Sequence, residues 1–200
     1  MRVLPLIVLA ALAIPASANI TPGQTARDFK LRDTDNNVIS LSQYKGKLVV
    51  IEWNNPGCPF VKKHYNSGNM QGTQAAAKAQ GAVWLTVNSG APGKQGHMTG
   101  PEAAAFVKGA NAVPTEYLLD PQGVVGKAYG AKTTPQIFIV SPAGKVLYNG
   151  AIDDKPTANA ADIAGARNHV KAALAEIKAG KAVSVPESKP YGCSVKYTDS

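Results

Sequence analysis

The sequence predicts an α/β fold with a mixed central sheet and helices on both faces. Two apolar segments rich in β-branched residues, 48–53 and 82–87, are typical of buried strands. An Ala-rich helical segment separates them, and this strand–helix–strand order implies that the two strands are parallel. One hairpin before this unit and one after it add antiparallel strands, so we expect the sheet to be mixed.

The first elements follow from local patterns. Alternating apolar residues on both sides of the Asx-rich turn 33–37 predict an N-terminal β-hairpin extension. After the strand 48–53, the turn Asn54–Gly57 leads into a helix over 60–65, and a second helical piece over 70–80 ends before Gly81.

The later elements are predicted in the same way. A long polar loop precedes a helix with a Thr-x-x-Glu capping box, and a hairpin precedes an amphipathic helix. The predicted ranges are loop 88–98, helix 99–109, strand 117–119, helix 124–129, hairpin 133–150, helix 160–179 and an extended tail 183–200.

Cys58 lies where a buried strand ends and a helix begins. Pro59 occupies the first helical position, where its missing N–H costs nothing. Free amide groups and the positive end of the helix dipole favour an anion there, and Lys62 and Lys63 add positive charge. We therefore predict that Cys58 is a reactive thiolate; the alternative is a buried, inert cysteine.

Residues 1–18 have the features of a secretory signal peptide. Arg2 is followed by an apolar run too short to span a bilayer, and Ala16–Ala18 is a small-residue cleavage site. Cleavage after Ala18 would leave a periplasmic or secreted chain that spans no membrane. The alternative is an uncleaved anchor.

The remaining chain is long enough for one domain, 19–182, followed by the tail 183–200. The formal charge of the whole chain is +8, but its lysines are scattered, with no run longer than two. This pattern favours a solvated basic surface over a nucleic-acid partner. We expect no cofactor.

The two cysteines, Cys58 and Cys193, are 135 positions apart, and there is no C-x-x-C motif. In an exported chain they could form a structural disulfide or a reactive pair, or Cys193 could stay unpaired.

Three segments, 52–62, 134–140 and 148–154, together resemble the redoxin group of thioredoxin-fold proteins. These are the peroxiredoxin-like relatives of alkyl hydroperoxide reductase and thiol-specific antioxidant proteins, and the resemblance covers about 22–178. It implies a thioredoxin-like fold in which Cys58 is the redox cysteine. It also implies that Pro135 is a cis-proline beside Cys58.

Two departures from this family matter. Val61 replaces the second cysteine of thioredoxin, so dithiol exchange within the motif is impossible. The peroxiredoxin signature P-x-x-x-T-x-x-C has Ile51 and Asn55 in place of its Pro and Thr, which puts peroxidase activity in doubt. Asn55 or a backbone N–H could take over the role of the Thr.

The resemblance suggests the following site. Cys193 could attack a Cys58 sulfenic acid as a resolving cysteine. Glu52 could be a buried proton carrier, or it could pair with a lysine. The substrate pocket would be formed by Trp53, Asn55, Pro59, Thr134 and Pro135.

Metal binding is not expected. Cys58 with His64 or His97 could in principle hold copper, but the C-x-x-x-C of related copper chaperones is missing. We interpret His64 as a surface histidine.

The sequence therefore predicts an exported thiol-dependent oxidoreductase or antioxidant protein. Its partners would be a peroxide or protein disulfide substrate and an external thiol reductant. The alternative is a non-catalytic thioredoxin-fold binding module that captures a thiol, a partner protein or copper.

Overall fold

The computed structural model describes residues 19–198, so the predicted signal peptide lies outside the described residues. The strands are β1 (Lys30–Asp33), β2 (Val38–Ser40), β3 (Val49–Trp53), β4 (Val83–Asn88), β5 (Glu116–Leu119), β6 (Thr133–Thr134), β7 (Gln136–Val140), β8 (Val146–Gly150) and β9 (Cys193–Ser194). The α-helices are α1 (Pro59–Asn66), α2 (Asn69–Lys78), α3 (Gly100–Gly109), α4 (Val124–Tyr129) and α5 (His169–Lys178). Leu41–Tyr44 and Ala160–Gly165 form 3-10 helices. Across residues 19–198, every helix is too short or too polar to cross a membrane.

Seven strands form one mixed sheet in the order β2-β1-β5-β4-β3-β7-β8. β3 is parallel to β4 and antiparallel to β7, which confirms both the predicted strand–helix–strand unit and the mixed sheet. β1 and β2 pair antiparallel around the Asx-rich turn. β6 and β9 form a separate antiparallel pair in which Thr134 lies opposite Cys193.

The central strand β3 divides the core in two, because successive side chains of a strand point to opposite faces. Ile51 and Trp53 pack in one hydrophobic cluster with Phe138. Val50 packs in the other cluster, which contains Cys58 and the buried faces of α1, α2 and α5.

The predicted amphipathic helix 160–179 is wrong in its first half. The 3-10 helix Ala160–Gly165 ends in extended backbone, and α5 starts only at His169. Asn168 causes the break, because its side chain caps α5 by accepting a hydrogen bond from the Lys171 amide at 2.8 Å. Val170 and Leu174 are buried as the pattern predicted.

Residues 186–197, which we call the C-terminal strap, lie along the fold. The Asn149 amide donates to the Pro186 carbonyl at 3.0 Å, and the Val195 amide donates to the Lys132 carbonyl at 3.0 Å. The strap is therefore attached on both sides of Cys193.

Candidate active site

Cys58 is the N-cap residue of α1, at the end of the turn that follows β3. Its amide donates to the Asn55 carbonyl at 3.0 Å, and its backbone is extended (φ −73°, ψ 126°) as an N-cap residue requires. Pro59 occupies the first helical position and is exposed. The local sequence thus places the sulfur at the helix N-terminus, as expected.

The Cys58 thiol donates to the Thr134 carbonyl at 3.1 Å. The Thr134–Pro135 peptide bond is cis, as the resemblance implied, and both residues are buried. The segment before β7 therefore lies directly against the sulfur.

Cys193 of the strap packs against the hydrophobic cluster that contains Cys58, and we call this part of the strap the cover over Cys58. Cys58 is 0 % exposed, whereas Cys193 is partly exposed, and both are free thiols. Cys193 lies opposite Thr134, whose carbonyl accepts from the Cys58 thiol. The fold therefore brings together two cysteines that are far apart in the sequence.

Gly192 permits this close approach. Its φ is +131°, and a Cβ atom built on it would lie 2.0 Å from the Thr134 carbonyl oxygen. No side chain fits at that distance, so glycine is required where the strap crosses the cis-proline segment.

The environment separates the acidities of the two thiols. Burial raises the pKa of Cys58, but hydrogen bonds from the Cys193 thiol and from the Val61 and Cys193 amides outweigh it, so the pKa lies below its ordinary value. Burial, together with the neighbouring Cys58, raises the pKa of Cys193 to about 11. Cys58 is therefore the first of the pair to ionise.

The contribution of Cys193 to this acidity can be tested with Cys193→Ala. The variant loses the thiol donor but keeps the backbone amides, so we expect the pKa of Cys58 to rise while staying below that of a free cysteine. Thiolate absorbance against pH, in the wild type and the variant, measures the shift. A Cys58 pKa unchanged by the substitution would contradict this account.

Asn55 is buried, and its side chain makes hydrogen bonds that hold the turn before Cys58. Its side-chain oxygen accepts from the Gly57 amide at 2.9 Å, and its nitrogen donates to the Gln95 side chain at 3.0 Å. The long loop 88–98 thus approaches the turn before Cys58.

Trp53 lies in the core cluster on the other face of the sheet from the cluster that contains Cys58. Its ring packs against Tyr129 and Phe138, each at a centroid distance of 5.3 Å, and its Nε1 donates to Ser89 Oγ. The reason is the alternation of β3, which points Trp53 to the face opposite the Cys58 cluster.

Glu52 is completely buried and pairs with neutral donors, with no lysine among its hydrogen-bond partners in residues 19–198. The donors to its carboxylate are Tyr65 Oη at 2.9 Å, Asn54 Nδ2 at 3.0 Å, Trp84 Nε1 at 3.0 Å and Thr86 Oγ1 at 3.2 Å. Burial raises the pKa of Glu52 above its ordinary value against the opposing effect of these bonds.

His64 is not a surface histidine, because it is 0 % exposed. Distant segments bury it: Asp153 and Tyr191 both face its ring. His97 lies in the long loop, where its Nδ1 is 2.9 Å from the Gly90 carbonyl oxygen. Within residues 19–198, no group of three His, Cys, Asp or Glu side chains is arranged to hold a metal ion.

A cysteine at the N-cap of a helix beside a cis-proline, on a mixed sheet of this order, is typical of a thioredoxin-like fold of the redoxin class. The model of the AhpC/TSA family matches residues 22–149, and the chain belongs to that family.

Individual relatives agree with this class. The thiol-disulfide oxidoreductase ResA of Bacillus subtilis (strain 168) is 30% identical over 129 residues, covering 64% of this chain and just under two thirds (66%) of ResA. The peroxiredoxin-like protein MT2597 of Mycobacterium tuberculosis is 25% identical over 142 residues, covering 69% of this chain and 82% of that protein. The crystal structure of SMc02350 from Sinorhizobium meliloti 1021 is similar at a TM-score of 0.76 with 26% identity, covering 92% of this chain and 98% of that chain.

Proposed function

We propose that this protein is an exported thiol-dependent oxidoreductase in which Cys58 reacts first and Cys193 resolves the product. One observation carries the proposal: the Thr134 carbonyl that accepts from the Cys58 thiol at 3.1 Å belongs to the residue that pairs with Cys193, so the fold brings the two cysteines together. The family and the ResA likeness support thiol chemistry. The apolar run that ends in the small residues Ala16–Ala18 supports export to a compartment in which a disulfide persists.

With a peroxide, the Cys58 thiolate attacks one oxygen and the O–O bond breaks. The leaving alkoxide takes a proton and becomes an alcohol, or water from hydrogen peroxide, and Cys58 becomes a sulfenic acid. The Cys193 sulfur then attacks the Cys58 sulfur, its proton and the sulfenic hydroxyl leave as water, and the disulfide forms. With a disulfide substrate, the Cys58 thiolate attacks one sulfur and releases the other as a thiol, which leaves a mixed disulfide on Cys58. The Cys193 sulfur then attacks the Cys58 sulfur, the second substrate thiol leaves, and the Cys58–Cys193 disulfide forms.

The interaction between the two thiols explains why Cys58 would react first and Cys193 second. The charge of the Cys58 thiolate contributes to the raised pKa of Cys193. Once Cys58 is a neutral sulfenic acid or mixed disulfide, that contribution is gone, so Cys193 ionises more readily at the step in which it attacks. An external thiol then returns the pair to the reduced state.

Reduction of the Cys58–Cys193 disulfide by an external thiol requires one of its two sulfurs to be accessible. Cys193 is partly exposed and Cys58 is buried. An external thiol would therefore attack the Cys193 sulfur and release Cys58, which is the better leaving group because its thiol is the more acidic of the two.

The proposal is tested with the purified chain after removal of residues 1–18. One equivalent of peroxide, or of a small disulfide, should remove both thiols in the wild type and give the Cys58–Cys193 disulfide by mass spectrometry. Cys193→Ser should instead accumulate a sulfenic acid that dimedone traps, and Cys58→Ser should keep its Cys193 thiol. Intact wild-type thiols at micromolar peroxide and with the disulfide would favour the non-catalytic binding module.

A further inference from the structure

A buried polar network anchors the strap next to Cys193. Tyr191 precedes Cys193 by two residues, and its ring packs edge-on against Phe60 at a centroid distance of 5.7 Å. Phe60 lies in the first turn of α1, the helix that Cys58 caps. The ring of Tyr191 therefore rests on the helix that carries the reacting sulfur.

The hydroxyl of Tyr191 is the middle of a directed chain of hydrogen bonds. Asn69 Nδ2 lies 2.8 Å from His64 Nδ1, and because an amide nitrogen only donates, Nδ1 accepts. The neutral imidazole then carries its proton on Nε2, which donates to the Tyr191 hydroxyl at 3.1 Å. That hydroxyl donates in turn to Asp153 Oδ1. Burial lowers the pKa of His64 to about 4, which keeps the ring neutral.

Lys63 completes the network from α1. Its Nζ lies 3.7 Å from Asp153 Oδ2, with side-chain exposures of 0% and 1%, and it donates to the Lys155 carbonyl at 2.8 Å. Asp153 Oδ2 itself has no hydrogen-bond partner among the described residues. A buried charge pair of this kind contributes little net stability, and fixing one arrangement is its best-attested use.

We propose that Tyr191 is a positioning residue for the cysteine pair, an inference that rests on the proposed function. Only Gly192 separates it from Cys193, which lies opposite Thr134 in the β6–β9 pair. Fixing the Tyr191 hydroxyl between His64 and Asp153 therefore fixes the register that brings the Cys193 thiol to Cys58.

The test is Tyr191→Phe in the full mature chain, which keeps the ring packing and removes the hydroxyl. Redox buffers of dithiothreitol measure the effective concentration of Cys193 at Cys58, and absorbance measures the pKa of Cys58. We expect the effective concentration to fall at least tenfold and the pKa of Cys58 to rise. Tyr44→Phe is the matched control, because Tyr44 lies in the 3-10 helix Leu41–Tyr44 and packs against the opposite core cluster.

A second pair of variants distinguishes the loss of this hydrogen bond from a general loss of packing. His64→Gln keeps a donor for the Tyr191 hydroxyl and should behave nearly as wild type, whereas His64→Leu should reproduce Tyr191→Phe. A Tyr191→Phe chain with the wild-type effective concentration and Cys58 pKa would overturn the proposal, as would equal behaviour of the two His64 variants. The absorbance titration of Cys58 needs no oxidant. It therefore decides the role of Tyr191 even if peroxide and disulfide leave the wild-type thiols intact and the proposed function fails.

Discussion

Gly192→Ala is expected to open the cover over Cys58 and raise its alkylation rate by about ten- to a hundredfold. The added Cβ would lie 2.0 Å from the Thr134 carbonyl oxygen, a backbone atom that cannot rotate away. Relief of such a contact requires the strap to shift, at a cost of about 1–3 kcal/mol for the closed arrangement. Since about 1.4 kcal/mol changes an equilibrium tenfold, the open population rises by roughly the stated factor.

The measurement is the rate of iodoacetamide labelling of Cys58, followed by mass spectrometry and divided by the thiolate fraction from titration. When closing is fast compared with labelling, this rate reports the open population. The same variant should form the Cys58–Cys193 disulfide more slowly, because the β6–β9 register is lost. Faster labelling together with slower disulfide formation separates an opened strap from a chain that has simply become less stable.

Gly180→Ala is the matched control. Gly180 also has a positive φ, +68°, but a Cβ atom there would meet nothing within 4 Å. It therefore carries the backbone strain of an alanine at positive φ without the collision. If Gly192→Ala labels no faster than Gly180→Ala, the strap does not cover Cys58 in the way the structure indicates.

The part of the site that the sequence predicts is the part built by neighbouring residues. The apolar run of β3, the turn after it and Pro59 are contiguous, so they place Cys58 at a helix N-terminus without help from the rest of the chain. The same holds for the Thr-x-x-Glu box, where the Glu102 carboxylate accepts from the Thr99 amide at 2.7 Å.

The cover over Cys58 depends on contacts that span most of the chain. Which segment Cys193 would meet could not be decided from spacing, because connectivity is a property of the folded chain. His64 fails as a prediction for the same reason: its ring is buried by Asp153 and Tyr191, which approach from the other end of the sequence. The apolar periodicity of 160–179 predicted one continuous helix. The Asn168 side chain instead caps a new helix, α5, in the middle of that pattern.

The Glu52 carboxylate is expected to make the fold less stable as pH rises. Its folded pKa is raised above the ordinary value of 4.5, mainly by burial. The folded chain therefore binds a proton more tightly than the unfolded chain, and the free energy of unfolding falls by about 1.4 kcal/mol per pH unit between the unfolded and the folded pKa. Above the folded pKa this decline stops.

Glu52→Gln removes the titrating group, so its free energy of unfolding lacks this contribution. The difference between wild type and variant should thus be largest at acid pH and shrink across that window. Glu52→Leu lowers the free energy of unfolding further. It leaves donors from Tyr65, Asn54, Trp84 and Thr86 without their acceptor, at a cost on the order of 4 kcal/mol if each unpaired donor costs about 1 kcal/mol.

Urea unfolding of the three chains at a series of pH values measures both effects. Glu102→Gln provides a control of opposite sign. Hydrogen bonds from the Thr99 amide and hydroxyl lower the pKa of this exposed carboxylate, so its contribution to stability is present above its unfolded pKa and is lost as pH falls. A wild-type minus Glu52→Gln difference that stays constant from acid to neutral pH would mean that Glu52 does not hold its proton more tightly in the fold. It would also remove the physical basis for Glu52 as a proton carrier to Cys58.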